Sequence, residues 1–444
     1  MIISGNNGND TIGDFGSYVT IFGGANDDLI CLSDDTCNDL IQYSSNDGND
    51  TIFGFNSSDT LYITNGIYTT IKNGNDVTVQ FNNKKSIMLK DALVDDYSKI
   101  IIKNPSGEVS IYNDWKVRYG SWYENSANDV TLFGSNGDDY IYNIGSNVVI
   151  TVGSGNDNIQ NVGGNNVSIT SGSGDDTIEN WGGYNITVSG GLGDDFISNN
   201  SNEVNIIGDS GDDTIENGDG DNLTISSGKG DDSILNNGDE VNIIGGSGND
   251  TIENWDGDNL TISGGYGNDF IQNSGCNVTI YGGNGDDSIE NYEDNVTIFG
   301  GKGNDLISIG SYTENNIIQY TKGDGKDTVV GFNSDDTLQI TKGSYKVKTK
   351  GNDVIVKVGS GSITLKDAVG TEISIKNSKG KVTTKNYGSS SAQTAELFAE
   401  NNFTTADNLS TIVKNNLTAT DYKIETNNFE NLTQENNLIT FAEK

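Results

Sequence analysis

The 444 residues contain no histidine. That excludes His-based catalytic triads and imidazole-held metal sites. Three cysteines, Cys31, Cys37 and Cys276, are too few and too scattered for a disulfide framework and read as isolated thiols. Positive charge is scarce: 25 Lys and Arg face 64 Asp and Glu, a net charge of −39. Such a chain repels nucleic acid and anionic membranes, and its natural small partner is a cation. No apolar run approaches the length of a membrane span. The opening Met1-Ile2-Ile3-Ser4-Gly5 has neither the basic nor the apolar region of a cleavable signal, so export is expected to use another address. Apolar residues make up only 33%, which with this charge normally signals disorder.

What the chain has instead is glycine and repetition. An aspartate after Gly-Asn or Gly-Asp recurs at 139, 157, 176, 195, 213, 232, 250, 269, 287 and 305, in steps of 18 or 19. Two residues after each comes isoleucine, from Ile141 to Ile307. Halfway round lies a short alternating run, as in Val167-Ser168-Ile169 and Leu223-Thr224-Ile225. Alternation over three residues reads as a short strand with its outer side chains inward. Each repeat is then loop, strand, loop, strand, and stacking the coils buries a continuous Ile/Val/Leu ladder. The expected fold is all-β: a parallel β-roll, or β-solenoid, of 18–19-residue coils.

A second repeat is longer. Gly54-Phe55-Asn56-Ser57 matches Gly331-Phe332-Asn333-Ser334, and Leu89-Lys90-Asp91-Ala92 matches Leu365-Lys366-Asp367-Ala368. We read both copies as β-rich modules that cap a coil stack. The expected organisation is partial coils over 1–38, module copy 1 over 39–112 and a linker over 113–133. The main roll follows over 134–310, module copy 2 over 311–387 and a tail over 388–444. The opening Gly5-Asn6-Asn7-Gly8-Asn9-Asp10 lies inside a repeat, so a longer array is expected. The tail has no glycine after Gly388 and reads as weakly helical at Ala395-Glu396-Leu397-Phe398-Ala399.

Gly282-Gly283-Asn284-Gly285-Asp286-Asp287 and Gly300-Gly301-Lys302-Gly303-Asn304-Asp305 share the form Gly-Gly-x-Gly-x-Asp. Turn chemistry explains one such loop, but not an aspartate recurring ten times. Glycine permits positive φ and lets carbonyl oxygens converge, while aspartate adds carboxylate oxygen and charge, the donors calcium prefers. These loops resemble the nonapeptide of the RTX (repeats-in-toxin, hemolysin-type) calcium-binding proteins, closely over 134–310 and in part over 1–30. The resemblance implies several Ca2+ ions as cofactor, held between coils. It implies ligand roles for Asp10, Asp28, Asp139, Asp157, Asp176, Asp195, Asp213, Asp232, Asp250, Asp269, Asp287 and Asp305. It implies carbonyl or turn roles for Gly153, Gly155, Gly172, Gly174, Gly191, Gly193, Gly246, Gly248, Gly265, Gly267, Gly283, Gly285, Gly301 and Gly303. Without cations the carboxylates form a column of like charge.

The other edge departs from that family. Asn166, Asn185, Asn222, Asn259, Asn277 and Asn295 recur there, so stacked asparagine hydrogen bonds are expected in place of calcium. Trp181, Trp255 and Tyr292 fall on the same edge and read as ordinary surface aromatics. The functional expectation is a non-enzymatic, extracellular bacterial scaffold or adhesin segment. The resemblance implies a type I secretion apparatus as partner, with the address in 389–444; a cell-surface or matrix partner is left open. The alternatives are an accessory region of a larger secreted enzyme or toxin, or an ice- or carbohydrate-binding face. Thr224, Thr261, Thr279 and Thr297 would supply that face, but Ser168, Asn205 and Asn242 interrupt the row.

Overall fold

The computed structural model describes residues 1–33, 37–93, 99–112, 120, 122–134 and 136–388. Met1–Tyr387 forms one compact unit, and its described residues hold strands and turns without a helix. The helical and export readings of the tail lie outside the described residues.

Each coil of the main roll contributes one strand to each of two parallel sheets. Thr177–Asn180 stacks on Asn158–Asn161 and beneath Phe196–Asn199 in one sheet. Ser168–Ser173 does the same between Val149–Ser154 and Ile186–Leu192 in the other. The register sets like on like: Ile159 pairs with Ile178, and Ile178 with Ile197. A constant repeat thus becomes a column. Ile159, Ile178, Ile197 and Ile215 face Ile169, Val188, Ile206 and Ile225, all fully buried. Burying each such side chain is worth about 1.5–3 kcal/mol, which is how a chain of low apolar content sustains a core.

Two expectations of organisation are corrected. Residues 113–133 are not a linker throughout: Trp122–Asn125 and Val130–Phe133 form the first coil of the main roll, each parallel to the next coil. That coil lacks a glycine–aspartate loop, which hid it from the repeat. Module copy 1 also does not cover an exposed end. Tyr68–Asn73 pairs with Val130–Phe133, and Gly107–Tyr112 with Trp122–Asn125, so the module is spliced between two rolls. Its antiparallel meanders still have free edges, and those edges hold the next coil. Module copy 2 ends the described ladder with the same meanders, Tyr345–Lys350 against Asp353–Val358 and Glu372–Lys376 against Val382–Asn386.

The acidic loops change sides across module 1. In the first roll the strand entering the loop, Thr20–Ala25, belongs to the sheet that later holds Trp122–Asn125 and Tyr140–Asn143. In the main roll that sheet holds the strands leaving the loop. The strand direction in this sheet is the same in both rolls, because two antiparallel steps intervene. The loops therefore project from one edge before the module and from the opposite edge after it.

Candidate metal sites along the aspartate edge

One coil shows how a loop is built. Ile186–Leu192 runs into Gly191 at φ 115° and Gly193 at φ 122°, values that L side chains rarely adopt. A Cβ at either glycine would also strike the carbonyl oxygen of Gly172 or Gly174 in the coil beneath. The turn aims Asp195 inward, and Phe196–Asn199 follows. Every aspartate from Asp139 to Asp305 is buried in this way, at most 2% exposed.

The carboxylates form a ladder. Oδ1 of each accepts the backbone N–H of the aspartate one coil earlier, from Asp139→Asp157 to Asp287→Asp305, at 2.6–3.0 Å. The preceding residue makes an outer ladder in the opposite sense, as in Asp194 N–H to Asp175 Oδ1 (3.1 Å) and Asp212 N–H to Asp194 Oδ1 (2.8 Å). The loops are thus latched in both directions by one oxygen per side chain. The other oxygen is left over. Oδ2 of Asp157, Asp195, Asp213, Asp250, Asp269, Asp287 and Asp305 is buried with no hydrogen-bond partner.

Leaving a buried carboxylate oxygen unpaired is costly, and the titration behaviour reflects it. Loss of water pushes Asp157 up to about 8, and Asp195, Asp213, Asp250 and Asp287 to about 7. Neighbouring aspartates push the same way, against the backbone N–H bonds that hold the carboxyls down. Asp176, Asp232 and Asp269 are raised by burial as well, and Asp305 reaches about 6.

Oxygen from the next coil faces the same space. A Cβ at Gly190, Gly208, Gly245, Gly264 or Gly282 would lie within 3.0 Å of both its own coil's aspartate Oδ2 and a carbonyl oxygen of the following coil. Gly134 is alike, with Asp139 and the Val152 carbonyl. The first glycine of the motif is therefore an opening between coils lined by carboxylate and carbonyl oxygen. Three coils fill it themselves. Val152 stands there buried. Ser171 donates to the Gly190 carbonyl and Ser227 to that of Gly245. No cluster of three His, Cys, Asp or Glu occurs among the described residues, so any cation here depends on main-chain oxygen.

The ladder extends past the expected residues. Asp305 N–H donates to Asp327 Oδ1 in module copy 2, and Asp10 and Asp28 are followed by Asp50 in copy 1. Asp50 rises to about 7 and Asp327 to about 8, again mainly by burial. The 22-residue step that breaks the period obscures both. The first roll also has aspartate on its other edge: Val19 N–H donates to Asp39 Oδ1, and Asp39 N–H to Asp59 Oδ1.

Opposite the aspartates, the main roll carries a row that sequence reasoning missed. The Nδ2 of Asn143, Asn161, Asn180, Asn199, Asn217, Asn236, Asn254 and Asn273 each donates to the next asparagine's Oδ1 at 2.7–2.9 Å. All are buried, and most also donate to a nearby carbonyl, as Asn236 does to Gly238. The signal was present as an Asn four residues after each aspartate. The row expected instead, Asn166 to Asn295, is chiefly a left-handed turn position with φ of 54–62°. Side-chain bonds there join Asn147, Asn166 and Asn185, and Glu203 and Glu240 share the conformation. Asn236→Ala is expected to destabilise the roll by about 3 kcal/mol, because it strands partners on both sides. Thermal unfolding should show this loss equally with and without calcium.

The contrast between edges is one of donors. An amide both donates and accepts, so a stacked column satisfies itself; a carboxylate only accepts, so its column needs a proton or a cation. Trp181, Trp255 and Tyr292 lie about half exposed beyond the asparagine row, their ring N–H or O–H directed to Glu179, Glu253 and Glu290.

No family model and no curated protein matches the chain. Among solved structures it is similar to the extracellular lipase LipA from Serratia marcescens, with 15% identity and a TM-score of 0.21, over 81% of this chain and 38% of that one. It is also similar to a hyperactive, Ca2+-dependent, β-helical antifreeze protein from an Antarctic bacterium, with 17% identity and a TM-score of 0.35, over 85% of this chain and 95% of that one. The chain thus spans well under half of the lipase, and likeness at these identities concerns the β-helical fold alone.

Proposed function

We propose that the chain is a non-enzymatic, extracellular bacterial scaffold whose aspartate edge binds a row of calcium ions. The observation that carries this reading is the row of buried, unpartnered Oδ2 atoms, set against an asparagine row that needs nothing. Calcium suits oxygen-only sites of irregular shape, with bonds of about 2.3–2.6 Å, whereas magnesium demands a near-octahedral shell. Zinc favours nitrogen and sulfur donors, which this edge lacks. Asp139 to Asp305 would supply carboxylate oxygen in the main roll, and Asp10 and Asp28 in the first. The carbonyls that face the first-glycine opening would supply the rest. Bound cations offset the charge of the column and tie successive coils together.

The gaps are not equivalent. Val152, Ser171 and Ser227 occupy the opening beside Asp157, Asp176 and Asp232, so binding is expected to be weaker there. Calcium content after gel filtration in millimolar calcium tests the reading. Several ions per chain are expected, and Asp→Asn changes beside Gly208 and Gly282 should lower the number more than the same change at Asp232. A chain that retains no calcium would refute it.

A further inference from the structure

The two module copies end differently. In copy 1, Tyr68–Asn73 lies between Asp76–Phe81 and Val130–Phe133, and Gly107–Tyr112 between Lys99–Asn104 and Trp122–Asn125. In copy 2 the matching strands are Tyr345–Lys350 and Val382–Asn386. Each has one partner, and among the described residues neither has a second. Burial follows the pairing. Tyr68 and Val109 are 0% exposed, whereas Val382, at the position of Val109, is 51% exposed and Tyr345 is half-buried. The second copy presents, uncovered, the two edges that in the first copy hold a coil.

We infer that these edges accept the first coil of a second copy of the chain, so that copies join head to tail as module 1 joins two rolls. At the other end, Ile2–Asn7 pairs with Thr20–Ala25 and Thr11–Asp14 with Leu29–Leu32; among the described residues both have their outer side open. The connectivity matches. The coil held by copy 1 is two consecutive strands joined by a short loop, Trp122–Asn125 then Val130–Phe133. Ile2–Asn7 and Thr11–Asp14 have the same order.

The charge matches too. The first 71 residues contain ten aspartates and no lysine or arginine, while 342–385 contains ten lysines against three acids. Lys346, Lys348 and Lys350 are exposed along one open edge. In the occupied copy, Glu108 and Tyr112 stand where copy 2 has Lys381 and Lys385. Lysines on an edge repel most strands; toward an acidic coil they attract. Such a contact is heterologous and does not close at the dimer, so growth continues.

Sedimentation equilibrium of the full chain in millimolar calcium tests this. At low salt the weight-average mass is expected to rise with concentration past twice 47.3 kDa, and to return toward 47.3 kDa at high salt. Lys346→Glu/Lys348→Glu/Lys350→Glu changes exposed side chains only and should keep the protein monomeric with an unaltered circular dichroism spectrum. Wild type that stays at 47.3 kDa at every concentration overturns the inference, as does assembly undiminished in the triple variant. A 1–388 truncation that assembles while the full chain does not also overturns it, and assigns the edges to the chain's own tail.

Discussion

Metal-stripped protein is expected to gain stability as the pH falls from about 8 to 5, the reverse of ordinary acid behaviour. The reason is the sign of the carboxyl shifts. Asp157 is raised to about 8, and Asp195, Asp213, Asp250 and Asp287 to about 7, from an ordinary 3.8. A folded-state value above the unfolded one means that the fold holds the proton more tightly. The stability so gained is complete below the ordinary value and is lost as the pH rises through 7 and 8. A proton on Oδ2 supplies the donor that the column lacks. With saturating calcium the slope should invert, because protons then compete with the ion for the same oxygens. Melting temperatures across this pH range, in metal-free buffer and in calcium, check both signs. A metal-free melting temperature that falls with acid would mean these carboxylates are not buried as described.

Asp213→Asn is expected to act in opposite directions in the two states. Its Oδ1 accepts the Asp195 N–H at 2.9 Å, and an amide oxygen can do the same. Its Oδ2 is buried and unpartnered, and the opening at Gly208 brings it toward the Ser227 carbonyl. An amide nitrogen there gains an acceptor and removes a buried charge, so the metal-free roll should become more stable. The calcium-loaded roll should become less stable, because a neutral oxygen is a poorer ligand and the gaps on both sides of this coil use it. If each of two gaps loses an ion bound at about 0.1 mM, the loss in 1 mM calcium is about 3 kcal/mol. Paired melts of wild type and variant measure it. A variant destabilised in both states would make Asp213 a structural residue and nothing more.

Much of this was legible in the sequence, because a solenoid writes its geometry as a period. The recurrence of Asp176-Thr177-Ile178 at Asp195-Phe196-Ile197 names the coil, the inward side chain and the loop. What escaped was whatever has no period or shares one with something louder. Asn180 and Asn199 repeat as faithfully as the aspartates, yet the hydrogen bond that gives them meaning runs between coils, not along the chain. The recurrence of Asn166 and Asn185 was visible but stood mainly for a backbone conformation. Module copy 1 looked terminal because its partners, Trp122–Asn125 and Val130–Phe133, lack the motif. The change of edge was invisible for a similar reason: it depends on how many antiparallel steps separate two parallel stacks.

The account turns on whether a cation completes the aspartate row. Six openings between coils, from Gly134 to Gly282, have carboxylate and carbonyl oxygen on both sides. At about 0.1 mM affinity and 1 mM calcium each adds about 1.4 kcal/mol, or about 8 kcal/mol together, comparable to the whole stability of a domain. Nearest-neighbour coupling should make the gain cooperative. The direct measurement is far-ultraviolet circular dichroism of metal-stripped protein near neutral pH during stepwise addition of calcium, with magnesium as control. The account predicts a steep, chelator-reversible rise in β signal with calcium and little with magnesium. Full β signal and an unchanged melting temperature in metal-free buffer would contradict it.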